Sequence, residues 1–204
     1  MGLVEDEESL ERPRLTDDQQ RLLLRIARQS LETYFRDGKM LTPEVDDPEL
    51  AKPRAAFVSL TRAGQLRGCI GFSEPRYPLH QTVAQCSVAA ATQDHRFASV
   101  ALWEVPELEI SISVLSPLRK LETFARLRPG KHGLLVASQG RRGLLLPQVA
   151  IEFGWDRETF LSQTCRKAGL PAETWKEEQA EVFVFEAVVF SEEEKGKSAS
   201  LPSA

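Results

Sequence analysis

Apolar residues recur every three or four positions between Thr16 and Gly38, then give way to alternation, so a helix precedes the first strands. In "TDDQQRLLLRIARQSLETYFRDG", Leu22, Leu23, Ile26, Ala27, Leu31, Tyr34 and Phe35 form one apolar stripe. Thr16 is the expected N-cap, Gln19 completes a capping box, and Gly38 can close the helix. A proline-rich connection, "TPEVDDPELAKPR", follows. "AAFVSL" and "LRGCIGF" then predict two short strands, a hairpin turning around Arg62 to Gln65 with Gly64 available for a positive φ. "PLHQTVAQCSVAAATQD" starts a helix at Pro78 and repeats Leu79, Val83, Cys86 and Ala90 at helical spacing. Its many Ala and Ser residues leave a backbone that a neighbour can approach closely.

In "ELEISISVL" the pattern alternates cleanly, with Leu108, Ile110, Ile112 and Val114 on one face and Glu109, Ser111 and Ser113 on the other. "HGLLVAS" and "RGLLLP" predict a second hairpin around "QGRR". "DRETFLSQTCRKAGL" is a helix with Asp156 as N-cap and Gly169 just past its end. "EVFVFEAVVF" predicts one long closing strand, apolar on both faces and therefore central or well covered. Strands that meet through hairpins, with helices in separate blocks, indicate an α+β fold with a mostly antiparallel sheet flanked by helices.

Composition adds mainly exclusions. The 204 residues are 42% hydrophobic and 27% charged with a formal net charge of -4, which is ordinary for a globular chain and gives no whole-chain case for nucleic acid. No apolar run has the length of a membrane span, and "MGLVEDEESLERPR" lacks the apolar core of a signal peptide. Gly2 has Asp6 where a myristoylation signal needs Ser or Thr. A cytoplasmic protein without membrane association is expected. Residues 1–14 and 192–204 have the composition of disordered tails, which leaves 15–191 as the folded domain. Cys69, Cys86 and Cys165 are too few and too scattered for a disulfide framework or zinc ribbon, and His80, His95 and His132 show no metal-ligand spacing. No metal and no cofactor is expected.

The stretch with chemical content is "LRGCIG", Leu66 to Gly71. Two glycines weaken a strand and need a reason. Strict alternation puts Leu66, Gly68, Ile70 and Phe72 on one face and Arg67, Cys69 and Gly71 on the other. Gly68 would let a helix backbone come close, the Ala-rich helix being the candidate. Gly71 would leave open space beside Cys69, and Arg67 would lie within reach of the sulfur or of a bound anion. A guanidinium favours thiolate, so the stretch can be an accessible, activated thiol with an anion clamp. The residues alone favour the plainer reading, a small buried hydrophobe, because no His or Asp follows at a spacing typical of a catalytic thiol.

This stretch also resembles the signature of the AMMECR-type domain family, the family of AmmeMemoRadiSam system protein A. The likeness runs from about Thr16 to Ser191 through "FVSL", "LRGCIG", "DHRF", "EISISVLSP", "GKHGLLV", "RRGLLLPQVA", "FGW", "CRKAGL" and "VFVFEAVVF". It departs at His95, where the family's turn carries proline between the Asp and Arg equivalent to Asp94 and Arg96. The resemblance implies a two-lobed fold, a larger and a smaller subdomain with a cleft between them near the signature strand. It implies a cytoplasmic protein of poorly defined activity, with a Memo-like protein and a radical SAM enzyme as partners.

Other candidates each carry a plainer alternative. His132 in "GKHG" can be a base for Cys69 or a solvated loop residue. Gln148 can reach a cleft or tie down a loop, and Ser113 with Ser111 can line a pocket. Arg119, Lys120, Arg126, Arg128, Lys131, Arg141 and Arg142 face Glu122 alone in their segment, which can meet RNA or only water. Two readings result. One is an enzyme or enzyme subunit acting on a small or nucleic-acid-borne substrate, with Cys69 and His132 catalytic and Arg67, Gly68, Gly71, Asp94, Arg96, Ser113 and Gln148 binding. The other is a non-catalytic adaptor that docks a partner protein or RNA.

Overall fold

The first helix, α1 (Asp17–Asp37), begins where its side chains satisfy its own orphan amides. Thr16 accepts the Gln19 N–H and the Gln19 side chain accepts the Thr16 N–H, closing the expected capping box, while Gly38 ends the helix at φ 68°. The computed structural model describes residues 12–192, so nearly all of both predicted tails, and Gly2, lie outside the described residues. Thr16→Ala should lower stability by about 1 kcal/mol, the usual cost of losing an N-cap, measurable in urea denaturation. Leu23, Leu24, Ile26, Ala27 and Leu31 are the helix's buried apolar residues. The stripe is thus centred slightly differently from expectation, with Leu24 inside and Leu22, Tyr34 and Phe35 only half-buried.

The chain divides into two compact units, Arg14–Val114 with the residues from Val188 onward, and Leu115–Ala187. The first holds β1 (Ala56–Arg62), β2 (Gln65–Phe72), α2 (Leu79–Thr92), β3 (Leu108–Leu115) and most of β8 (Ala187–Ser191). Its sheet has the order β2-β1-β3-β8, which leaves β2 at an edge. Ala56, Val58 and Leu60 of β1 and Leu108, Ile110, Ile112 and Val114 of β3 point into one core with α1 and α2. The alternation predicted for β3 is therefore the observed one. The β1–β2 turn uses positive φ at both Ala63 (50°) and Gly64 (74°), as a two-residue hairpin turn requires.

The second unit contains β4 (Arg119–Lys120), β5 (Gly133–Ser138), β6 (Arg141–Leu145), α3 (Pro147–Glu152), α4 (Arg157–Lys167) and β7 (Glu181–Phe185). Its antiparallel sheet runs β4-β7-β5-β6, and α4 packs on β5 and β6 over a core that includes Leu134, Val136, Phe160, Leu161 and Val184. Asp156 caps α4 by accepting the Thr159 N–H at 2.8 Å, as expected.

"EVFVFEAVVF" is two strands rather than one. The break is at Glu186, whose N–H donates to Ser116 Oγ (3.0 Å) and whose carbonyl accepts the Ser116 N–H (2.8 Å). β7 before it is central in one sheet, and β8 after it lies at the edge of the other. Apolar residues flank Glu186 on both sides, but in β8 only Phe190 is buried and Val189 is exposed, so the second half is neither central nor covered on both faces. Among the described residues no helix is long and apolar enough to cross a membrane.

Candidate functional site

Between Leu60 and Thr61 the β1–β2 register shifts by one. Leu60 pairs with Gly68 and Thr61 with Leu66, so Arg67 is the extra residue of a β-bulge. From Gly68 onward, Gly68, Ile70 and Phe72 stand opposite the core residues Leu60, Val58 and Ala56, as strict alternation expected. Before the bulge the phase is reversed: Leu66 pairs with Thr61 on the outer face and is exposed, so it does not share the Gly68 face.

The outer face carries Cys69 opposite Ser59, which in turn faces Ser111 on β3. The Ser59 hydroxyl donates to the Cys69 sulfur at 3.2 Å. Cys69 is a half-buried free thiol, while Cys86 and Cys165 are buried. Burial pushes the Cys86 thiol up to about 12 and raises Cys165 as well.

Because β2 is an edge strand, the Cys69 N–H points away from β1. Asp94 Oδ2 accepts it at 2.9 Å. The same carboxylate is gripped by Arg96 through Nε (2.9 Å) and Nη2 (2.6 Å) and by the Arg96 amide (3.2 Å). The Asp94 side chain is 3% exposed, and the Arg96 hydrogen bonds with the Cys69 and Arg96 amides hold its carboxyl well below the usual carboxylate range. Arg96 is correspondingly raised, chiefly by Asp94, with a smaller electrostatic contribution from Cys69. Arg96 is thus linked to Cys69 through the Asp94 carboxylate, which accepts from both.

The Arg67 guanidinium is engaged within the chain. The bulge directs it to Glu104, which it meets through Nε and Nη2, both at 3.0 Å, and to the Ala98 and Ser99 carbonyls at 2.6 and 3.2 Å. Its anion is the chain's own: Glu104 also accepts the Ala101 N–H, and its carboxyl is lowered first by Arg67. Neither glycine leaves open space. A Cβ on Gly68 would lie 2.9 Å from the Ala90 carbonyl carbon and closer still to its oxygen, which makes the Ala-rich α2 the close neighbour the sequence pointed to. A Cβ on Gly71 would overlap the Ala56 oxygen and the Phe57 ring, so an aromatic ring from β1 fills the floor expected to be vacant beside Cys69.

Asp94, Arg96, Cys69, Gly68, Gly71 and Arg67 thus form one connected constellation in the first unit. Ser113 belongs to the same outer face, opposite Phe57, but is buried. His132 and Gln148 belong to the second unit. The His132 Nδ1 accepts the Arg128 N–H at 3.3 Å and the His132 backbone N–H donates to the Arg128 carbonyl at 2.9 Å, so the imidazole helps close a turn. Gln148 is exposed in the first turn of α3. In the basic segment, Lys120 meets Glu181, Arg126 meets Glu122, Lys131 meets Glu186, and Arg141 donates to the Gly169 carbonyl. Much of that charge is answered within the chain. Sequence reasoning missed Ser59 and Glu104, because an unbulged hairpin places Ser59 opposite Gly68 instead of Cys69.

A model of the AMMECR1 family matches residues 24–190, which covers the whole constellation and both units. The chain belongs to the AMMECR1 family. Protein MK0488 of Methanopyrus kandleri is 41% identical over 190 residues, spanning 89% of this chain and 92% of the relative. Protein PF1979 of Pyrococcus furiosus is 41% identical over 191 residues, spanning 88% and 91%. Among solved structures, the uncharacterized protein PH0010 from Pyrococcus horikoshii is similar with a TM-score of 0.84 at 39% identity, covering 88% of this chain and 94% of that one. Within this AMMECR1 chain the "DHRF" turn forms with His95 in place: Phe97 N–H donates to the Asp94 carbonyl at 3.0 Å, and the Asp94–Arg96 pair is intact. The function of these relatives is uncharacterized, so the chemistry has to come from the site.

Proposed function

We propose that this AMMECR1-family chain is a cytoplasmic enzyme or enzyme subunit whose chemistry centres on the Cys69 thiol. The observation that carries the reading is the contrast among its cysteines: Cys69 is half-buried, hydrogen-bonded to Ser59, and has its backbone N–H on the carboxylate that Arg96 grips, whereas Cys86 and Cys165 are sealed in the cores. Arg96 takes the anion-binding role that the sequence shared between it and Arg67, since its side chain is 40% exposed. The substrate is small or nucleic-acid-borne and carries an anionic group. By family resemblance the working partners are a Memo-like protein and a radical SAM enzyme.

The test is iodoacetamide labelling of the native protein followed by peptide mass spectrometry. Cys69 should label at least 100-fold faster than Cys86 and Cys165, and Ser59→Ala should change that rate. Equal inertness of all three thiols in the folded protein, with normal labelling after unfolding, would end the reading.

A second reading, a non-catalytic module that docks a partner protein or RNA, draws on a different observation. Leu102 and Trp103 are 57% and 62% exposed, with the Arg62 guanidinium 4.5 Å from the Trp103 ring centre. Under it, Cys69→Ser leaves binding to the Memo-like protein of the same organism unchanged, while Trp103→Ala weakens it tenfold or more in a titration.

A further inference from the structure

On the opposite side of β2 from the thiol, a groove of about 660 Å³ runs between the edge strand and α2. Its apolar lining comes from Met40 and Leu41 and from Ile70 and Phe72 of β2. Gln81, Gln85, Ala89 and Gln93 line its α2 side. These four positions are spaced i, i+4, i+8 and i+12, so they form one row along the helix. The row extends about 18 Å, with amide side chains in steps of about 6 Å at one end.

Two features define what fits. The first is spacing: alternate residues of an extended chain are about 6.7 Å apart, close to the step between Gln81 and Gln85. A primary amide both donates and accepts, as a peptide group does. The second is charge. No Asp, Glu, Lys, Arg or His lines the groove, and burial keeps the Cys86 thiol neutral. Beside one of its walls the exposed Arg76 places its guanidinium 5.4 Å from the Phe72 ring centre. Among the described residues no carboxylate pairs with Arg76. An uncharged trough with one cation at its Phe72 side complements an uncharged ligand that ends in, or carries, one carboxylate.

We propose that this groove binds an extended peptide segment of a partner protein, about five residues with uncharged side chains, whose single carboxylate meets Arg76. The glutamine amides read the peptide backbone, and the apolar wall receives alternate side chains. The site is independent of Cys69, which projects from the other face of β2, so failure of the thiol reading leaves it standing.

The experiment is selection of a random hexapeptide library with free C-termini against the full chain. Fluorescence polarisation of synthetic winners follows, each made as free acid and as C-terminal amide. Expected are sequences with no basic and at most one acidic side chain, binding at least tenfold weaker to Arg76→Glu and Gln85→Lys, with the Gln81 and Gln85 side-chain amide signals shifting in nitrogen–proton NMR spectra. Both substitutions are at incompletely buried positions, and unchanged circular-dichroism melting verifies the fold. Loss on amidation assigns the carboxylate to the peptide terminus, and retention with an Asp or Glu in the winners assigns it to a side chain; either supports the site. No enrichment above background, or winners indifferent to both substitutions, overturns it. So does enrichment only of basic peptides, or a shift confined to residues outside the groove.

Discussion

Gly68→Ala is expected to lower the stability of the protein by about 3 kcal/mol, the upper part of the usual range for overpacking a core. The added Cβ would sit 2.9 Å from the carbonyl carbon of Ala90 and inside the contact distance of its oxygen. That obstacle is helix backbone, which cannot rotate aside as a side chain would. Accommodating the methyl group means moving α2 off β1 and β2, where Val83, Ala84 and Ala90 are almost completely buried. Urea denaturation followed by circular dichroism gives the measurement. A loss below about 1 kcal/mol would mean that α2 does not rest on β2 at this distance. Gly71→Ala meets the Ala56 backbone oxygen as closely as the Phe57 ring, so the same measurement should show a loss there too.

Asp94→Ala should cost a similar amount, about 3 kcal/mol at pH 7, the low end for breaking a buried ion pair because Arg96 retains access to water. The substitution strips the Cys69 N–H of its acceptor and Arg96 of its partner together. The pH dependence has a definite sign. Asp94 is held well below the usual carboxylate range when folded and titrates near about 3.9 when unfolded. Its stabilising contribution is therefore full above the unfolded value and is lost as pH falls through it toward the depressed folded one. The stability gap between the natural protein and Asp94→Asn should accordingly narrow between pH 6 and pH 3. A gap that stays constant over that interval would show that Asp94 does not carry its charge into the fold. Because Asp94 also anchors the backbone of Cys69, Asp94→Ala should disturb iodoacetamide labelling of that thiol too, linking the stability of the edge to the chemistry proposed for it.

Local chemistry was legible wherever one segment determines its own shape. Thr16 with Gln19, Asp156 with Thr159, and Gly64 at the hairpin turn act over three or four residues, and their energetics do not depend on the rest of the chain. The alternation of Leu108, Ile110, Ile112 and Val114 likewise announced one buried face. The need for Gly68 and its neighbour, the Ala-rich helix, followed from the absence of a side chain on a core-facing position.

What tertiary structure decided turns on a single extra residue. Strand alternation has a period of two, so a one-residue bulge reverses every face assignment on one side of it. Arg67 is that residue: it sends its own charge to Glu104, turns Leu66 outward, and sets Ser59 against Cys69. Glu104 is 37 residues away in the chain and Asp94 is 25 residues from Cys69, distances over which no local propensity operates. The same reasoning covers the strand that changes sheets at Glu186, where two hydrogen bonds to Ser116, 70 residues away, divide a run of apolar residues. The sequence by itself thus determined the family, the main helices and hairpins and the glycine-flanked Cys69 strand, because those depend on residue type and near-neighbour spacing. Only the tertiary structure decided that Arg67 turns to Glu104 and that Arg96 grips the carboxylate holding the Cys69 N–H, because those pairings depend on register and on partners brought from far along the chain.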